Sequence, residues 1–206
     1  MNERSLRDQR RERRRAVSRD QILDAAEQVF ARRGFHEASL REIAELAEYS
    51  VGAVYGFFTG KDELYRELFL RRAAVFLPGM SEALATGLPP RRQMLDLARW
   101  QVVFFRDHPE FGRLVLRGGA IAPPLAEPPE DSRILANFRL AQDMQADLFR
   151  RGQDAGDLRG GDPRLLALMF TGLVSAFQTS ELSQDGHQPL EVLFEVLESA
   201  FAGSRD

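Results

Sequence analysis

The sequence predicts an all-α protein of about nine helices: an N-terminal helix-turn-helix unit of three helices, then a larger helical bundle. Three observations carry this expectation. Apolar residues recur at i, i+3 and i+4 along most of the chain, and no segment alternates apolar and polar residues over the length of a strand. Helix-start residues (Ser, Thr or Asp, followed three positions later by Glu or Gln, or by Pro at the first helical position) recur at helical intervals. Gly and Pro pairs punctuate the gaps between the periodic segments.

Met1–Arg15 is polar and Arg-rich and reads as a disordered basic arm. Ser18-Arg19-Asp20-Gln21 is a capping box, followed by Ile22, Ala25, Ala26, Val29 and Phe30 at helical spacing, with Gly34 as the stop. Ser39-Leu40-Arg41-Glu42 is a second box, with Leu40, Ile43, Ala44 and Ala47 on the apolar face. Ser50 caps a third short helix that turns Val51, Val54 and Phe58 inward, and Thr59-Gly60-Lys61-Asp62 opens a fourth running to about Leu77. Beyond Pro78 come helices over Arg91–Asp107, from Pro109, over Ser132–Gly152, from Pro163 to about Ser180, and from Gln188-Pro189 to about Phe201. Ala122–Glu130 holds four prolines in nine residues and reads as a loop.

Composition removes whole classes of chemistry. With no Cys there is no disulfide framework, thiolate metal site or thiol nucleophile, and His36, His108 and His187 stand in no ligand spacing. No metal and no cofactor is expected. No phosphate-binding or dinucleotide fingerprint occurs, because Arg117-Gly118-Gly119 and Arg159-Gly160-Gly161 read as turns, and no nucleophile–base motif is present, so the chain is not expected to be an enzyme. The longest charge-free stretch, Leu165–Ser180, is sixteen residues, short of the roughly 20 needed to span a bilayer, and the charged N-terminus carries no apolar leader segment. A cytoplasmic protein without a membrane partner is the expectation. Charge is unevenly placed. Residues 1–19 hold eight Arg against three acids on a chain of net charge −3, which marks one polyanion-facing end.

Leu40–Phe58, a short helix, a turn and a second short helix, fits a helix-turn-helix, whose second helix presents its N-terminal end to the DNA major groove. Val51, Gly52 and Ala53 are small enough for close approach, and Ser50 with the first-turn N–H groups suits phosphate oxygens.

The landmarks of residues 16–66 resemble the TetR family of transcriptional regulators. Ser18–Ala26, Val29-Phe30 and Arg33-Gly34-Phe35 resemble its opening helix, Ser39–Ala44 its second, and Ser50–Tyr55 with Phe58 and Lys61–Leu64 its recognition helix and the start of its fourth. The resemblance implies a homodimer whose N-terminal domains grip a palindromic operator, released when a small effector enters the C-terminal domain. By matching position it implies Ser39, Arg41, Ser50, Val51, Gly52, Ala53, Tyr55, Phe57 and Lys61 as the DNA-binding set, with Arg41 a base reader and Tyr55 and Lys61 on phosphates. Two positions depart from the pattern. Glu48 stands where Gly is typical, and Gly56-Phe57 where bulkier polar or aromatic pairs are usual.

Each residue has a plainer reading beside this one. Arg41 also suits a surface pair with Glu45, Gly52 a packing contact, Tyr55 a core ring, and the N-terminal arginines a solubilising tail rather than an arm on phosphates or the minor groove. In the larger bundle Met94, Leu97, Trp100, Phe104, Met144 and Phe177 are the candidate effector-binding residues, although each, taken alone, suits a core better than a ligand wall. The expected organisation is an arm over 1–15, a DNA-binding domain over 16–62 and an effector-binding and dimerisation domain over 63–206. The competing function is a helical small-molecule-binding protein or enzyme that binds no DNA. The all-round apolar helix from Pro163 and the stripe Leu190, Leu193, Phe194, Leu197 and Phe201 predict a four-helix contact between two copies.

Overall fold

The computed structural model describes residues 6–117, 133–183 and 186–203. These form nine helices: α1 Leu6–Glu37, α2 Leu40–Leu46, α3 Val51–Tyr55, α4 Lys61–Leu84, α5 Pro90–Asp107, α6 Pro109–Arg117, α7 Arg133–Asp154, α8 Pro163–Ser183 and α9 Leu190–Phe201. The one β-type pairing among them is an isolated bridge between Leu158 and Ala202. The proline-rich 122–130 segment lies outside the described residues.

The helices divide into two compact units, up to Arg71 and from Arg72. In the first, Ile22, Ala26, Val29 and Phe30 of α1 meet Ile43, Val54, Phe58, Leu64 and Leu68 in a closed core. Tyr65 packs edge-on to Phe30 and Phe35, and burial pushes its phenol up to about 12. In the second, α5, α7, α8 and α9 bury Leu97, Val102, Phe149, Phe170, Leu193 and Phe201 in one cluster.

Two expectations need correction. The 6–15 part of the expected arm is helical, and Ser18 lies inside α1 rather than at its cap. Arg, Gln and Glu are strong helix formers, so a segment with nothing to bury still extends a helix that tertiary packing has nucleated; residues 1–5 lie outside the described set. Gly34, at φ +78°, does interrupt the helical path. α4 continues through Pro78 to Leu84. A proline removes one intrahelical bond without ending this helix; at the next position the Trp100 indole lies against the α4 backbone, and a Cβ at Gly79 would overlap that ring. α8 is 21 residues, the apolar helix expected from Pro163, and by length and composition alone it suffices to cross a bilayer, although its charge-free part is the sixteen residues Leu165–Ser180. It nevertheless sends Leu166, Ala167, Phe170 and Val174 into the core of its unit.

Candidate functional site

α2 begins with the predicted capping box. The Ser39 Oγ accepts from the Glu42 N–H at 3.1 Å, and the Glu42 carboxylate accepts from the Ser39 N–H at 3.2 Å. The Ser39 hydroxyl, which also donates to Glu42 Oε2 at 3.1 Å, and then the Ser39 N–H hold the Glu42 carboxyl below the usual range. The end of α2 is a Schellman turn. Tyr49 N–H donates to the Ala44 carbonyl at 2.9 Å and Glu48 N–H to the Glu45 carbonyl at 3.2 Å. This motif requires a left-handed residue after the cap, and Glu48 supplies it at φ +61°, the one positive-φ residue other than glycine among those described. The chain therefore keeps the tight turn without the glycine usual there. The Tyr49 hydroxyl ties it to α1 by donating to Gln21 Oε1 at 2.8 Å.

Ser50 then caps α3, its Oγ accepting from the Ala53 N–H at 3.1 Å. Val54 is buried and fixes the rotation of the helix, which leaves Val51, Gly52 and Tyr55 exposed, Tyr55 at 57%. Around Gly52 the nearest atom to an added Cβ is the Ser50 Oγ at 4.0 Å, so no intrachain contact explains the glycine. Ala53 is half-buried.

The other predicted residues are more occupied. Arg41 is exposed and donates to Glu45 at 2.8 Å, a pairing that raises its pKa. Lys61 Nζ donates to the carbonyls of His36 and Ala38, both at 3.1 Å, and sits 4.7 Å from the Phe35 ring centre. Two of its three hydrogens are thus committed to joining α4 to the α1–α2 connection. Phe57 is half-buried beneath the Arg15 guanidinium, 5.7 Å from its ring, and Arg15 also donates to the Gly56 carbonyl at 3.4 Å. Arg19 covers Phe58 in the same manner and pairs with Glu67 at 2.6 Å.

In the second unit, Met94 and Leu97 are fully buried in the cluster, Trp100, Met144 and Phe177 pack half-buried against it, and Phe104 is fully buried beside Trp100. Sequence reasoning missed Phe76, which joins Trp100 and Phe104 at ring separations of 6.3 and 5.0 Å. Its signal was the seven-residue interval from Phe69 on α4, which continues beyond Pro78. His108 stacks on Phe104 at 4.5 Å, its Nδ1 2.8 Å from the Phe104 carbonyl oxygen, and Phe105 and Phe111 extend the aromatic row. The Trp100 Nε1–H is buried and has no acceptor among the described residues. Arg106 is structural: it holds Glu181 with two bonds, at 2.5 and 3.2 Å, and donates to the Gln188 carbonyl. Among the described residues no group of His, Asp and Glu is placed to hold a metal ion.

Outward faces of α8 and α9 carry exposed Leu165, Leu168, Met169, Val192 and Val196.

Residues 22–68 match the sequence model of a family described as bacterial regulatory proteins, tetR family. The transcriptional activator FasR of Mycolicibacterium smegmatis is 35% identical over 107 residues, 52% of this chain. That match spans about half (48%) of the relative's own length. Two solved structures share the fold. AibR, in complex with isovaleryl coenzyme A and operator DNA, has a TM-score of 0.74 at 18% identity, covering 88% of this chain and 97% of that one. FadR from Bacillus subtilis, in complex with stearoyl-CoA, has a TM-score of 0.68 at 20% identity, covering 86% and 96%. The helix-turn-helix and the family match over it agree: residues 22–68 carry the N-terminal DNA-binding region of the tetR family of bacterial regulatory proteins, and the all-helical fold that follows resembles that of the two solved structures.

Proposed function

We propose that the protein is a cytoplasmic repressor that binds a palindromic operator as a homodimer and is released by an amphipathic acyl effector. The observation that carries the DNA reading is the exposed small surface of α3, where Gly52 faces open space in a helix that alanine would stabilise. A helix keeps such a residue where something outside the chain must approach. Val51, Gly52 and Ala53 meet the groove, Tyr55 holds a phosphate, Lys61 adds its third N–H, and Arg41 leaves Glu45 to read guanine. Ser39 and Ser50 hold the two helix starts, and Phe57 supports Arg15.

For the effector, the support is the row of Phe76, Trp100 and Phe104 with Met94, Leu97, Met144 and Phe177 in or against one cluster, and an unmet indole donor suited to a carbonyl oxygen. The acyl-coenzyme A ligands of the two structures above agree with that chemistry. Exposed apolar residues on α8 and α9 support the dimer.

The test is reciprocal binding. Trp100 is the only tryptophan, so its fluorescence reports on the second unit. With a long-chain acyl-coenzyme A as probe, saturating operator should raise the probe's apparent Kd by the factor by which the probe weakens operator binding, roughly 5- to 150-fold. Equal probe affinity with and without operator would refute the effector reading.

A further inference from the structure

We infer that the N-terminal turns of α1 form a second DNA-backbone contact, a rigid basic helix gripping phosphates outside those reached by α2 and α3. Arg7, Arg10, Arg11 and Arg14 stand at i, i+3, i+4 and i+7 of α1 and so share one face. Residues 7–17 are all exposed, and among the described residues no acid pairs with Arg10, Arg11 or Arg14. Asp8 and Glu12 fall on another side of the helix. On the face that continues the core stripe, Arg15 lies on Phe57 and Gly56 just past α3, and Arg19 on Phe58. These contacts join the basic stripe to the helix-turn-helix within one compact unit.

Charge and composition select the partner. A helix that lies on a membrane needs an apolar face, and residues 6–17 offer only Leu6, Ala16 and Val17. The stripe from Arg7 to Arg14 covers about 10 Å of helix, at 1.5 Å per residue. Over that length one DNA strand presents about three phosphates. Guanidinium groups on a preformed helix reach those phosphates without first ordering a flexible tail, and they carry no base information. The inference rests on the operator-binding reading above.

The experiment compares the full chain with the triple variant Arg10→Gln/Arg11→Gln/Arg14→Gln, and with the matching Arg→Lys triple. Binding is measured on an operator duplex and on an unrelated duplex of equal length. Gln keeps the helix propensity, which circular dichroism checks. Each phosphate contact contributes about 0.9 to the slope of log K against log salt. The Gln triple should therefore flatten the slope by about 2.7 on both duplexes. From 50 to 200 mM salt the wild type then loses about 40-fold more affinity than the variant, and the Lys triple keeps the wild-type slope. An unchanged slope in the Gln triple, or a change confined to the operator duplex, overturns the inference while leaving the helix-turn-helix reading intact. A folded wild type that binds neither duplex overturns both.

Discussion

Replacing Glu48 with glycine should stabilise the helix-turn-helix, and the size of the gain follows from its backbone. Glu48 sits at φ +61° after the cap of α2, where a Cβ crowds the following carbonyl at a cost of roughly 1–2 kcal/mol. Glycine removes that strain but gives up about 0.5–1 kcal/mol through its freer unfolded chain. The net expectation is a gain of about 0.5–1 kcal/mol. Because only one unit is affected, the assay should be local: hydrogen exchange of the Tyr49 amide, which bonds to the Ala44 carbonyl in the same turn. It should slow by roughly two- to five-fold, since 1.4 kcal/mol is tenfold. Glu48→Ala is the control. It takes a carboxylate from the negative end of the α2 dipole, worth a fraction of a kcal/mol, but keeps the Cβ. If alanine protects Tyr49 as well as glycine does, the left-handed strain is not the cause and the reasoning fails.

Gly52→Ala should raise stability by up to about 1 kcal/mol and weaken operator binding, read by denaturation and DNA titration; unchanged binding would remove Gly52 from the interface. Arg106→Ala leaves the nearly buried Glu181 carboxylate without its guanidinium and should cost about 3 kcal/mol, a fall in Tm on the order of 10 °C; a fall of a degree or two would show the pair to be dispensable. The carboxyls of Glu42 and Glu63 are held below the usual glutamate range, Glu63 mainly by the Thr59 N–H. Their contribution is complete above the unfolded value of about 4.3 and is lost as pH falls through the lowered folded values. Tm should therefore drop across that window in the wild type and less in Glu42→Gln/Glu63→Gln; parallel curves would refute it.

The sequence was most informative where local chemistry decides structure. The Ser39 and Ser50 caps, Pro109 and Pro163 at helix starts, and the Gly34 interruption are encoded within four or five residues, and each stands where the spacing predicts. It was least informative where a distant partner decides. The packing of the Trp100 ring, from another helix, on Gly79 just past Pro78 is one such contact. The commitment of Lys61 to the His36 and Ala38 carbonyls, and the Arg15 cover on Phe57, are likewise long-range contacts. The α1 extension was misread because low hydrophobicity argues against burial, not against helix.

The most direct measurement is a footprint of the full chain on the DNA flanking its own coding region. Protection of a two-fold-symmetric site is expected, with half-sites about one helical turn, roughly 34–36 Å, apart or a multiple of that. Tyr55→Phe should weaken it on all sequences, and Arg41→Ala should relax preference at one base pair per half-site by about 1–3 kcal/mol. No sequence-selective protection by folded protein at low salt would contradict the account.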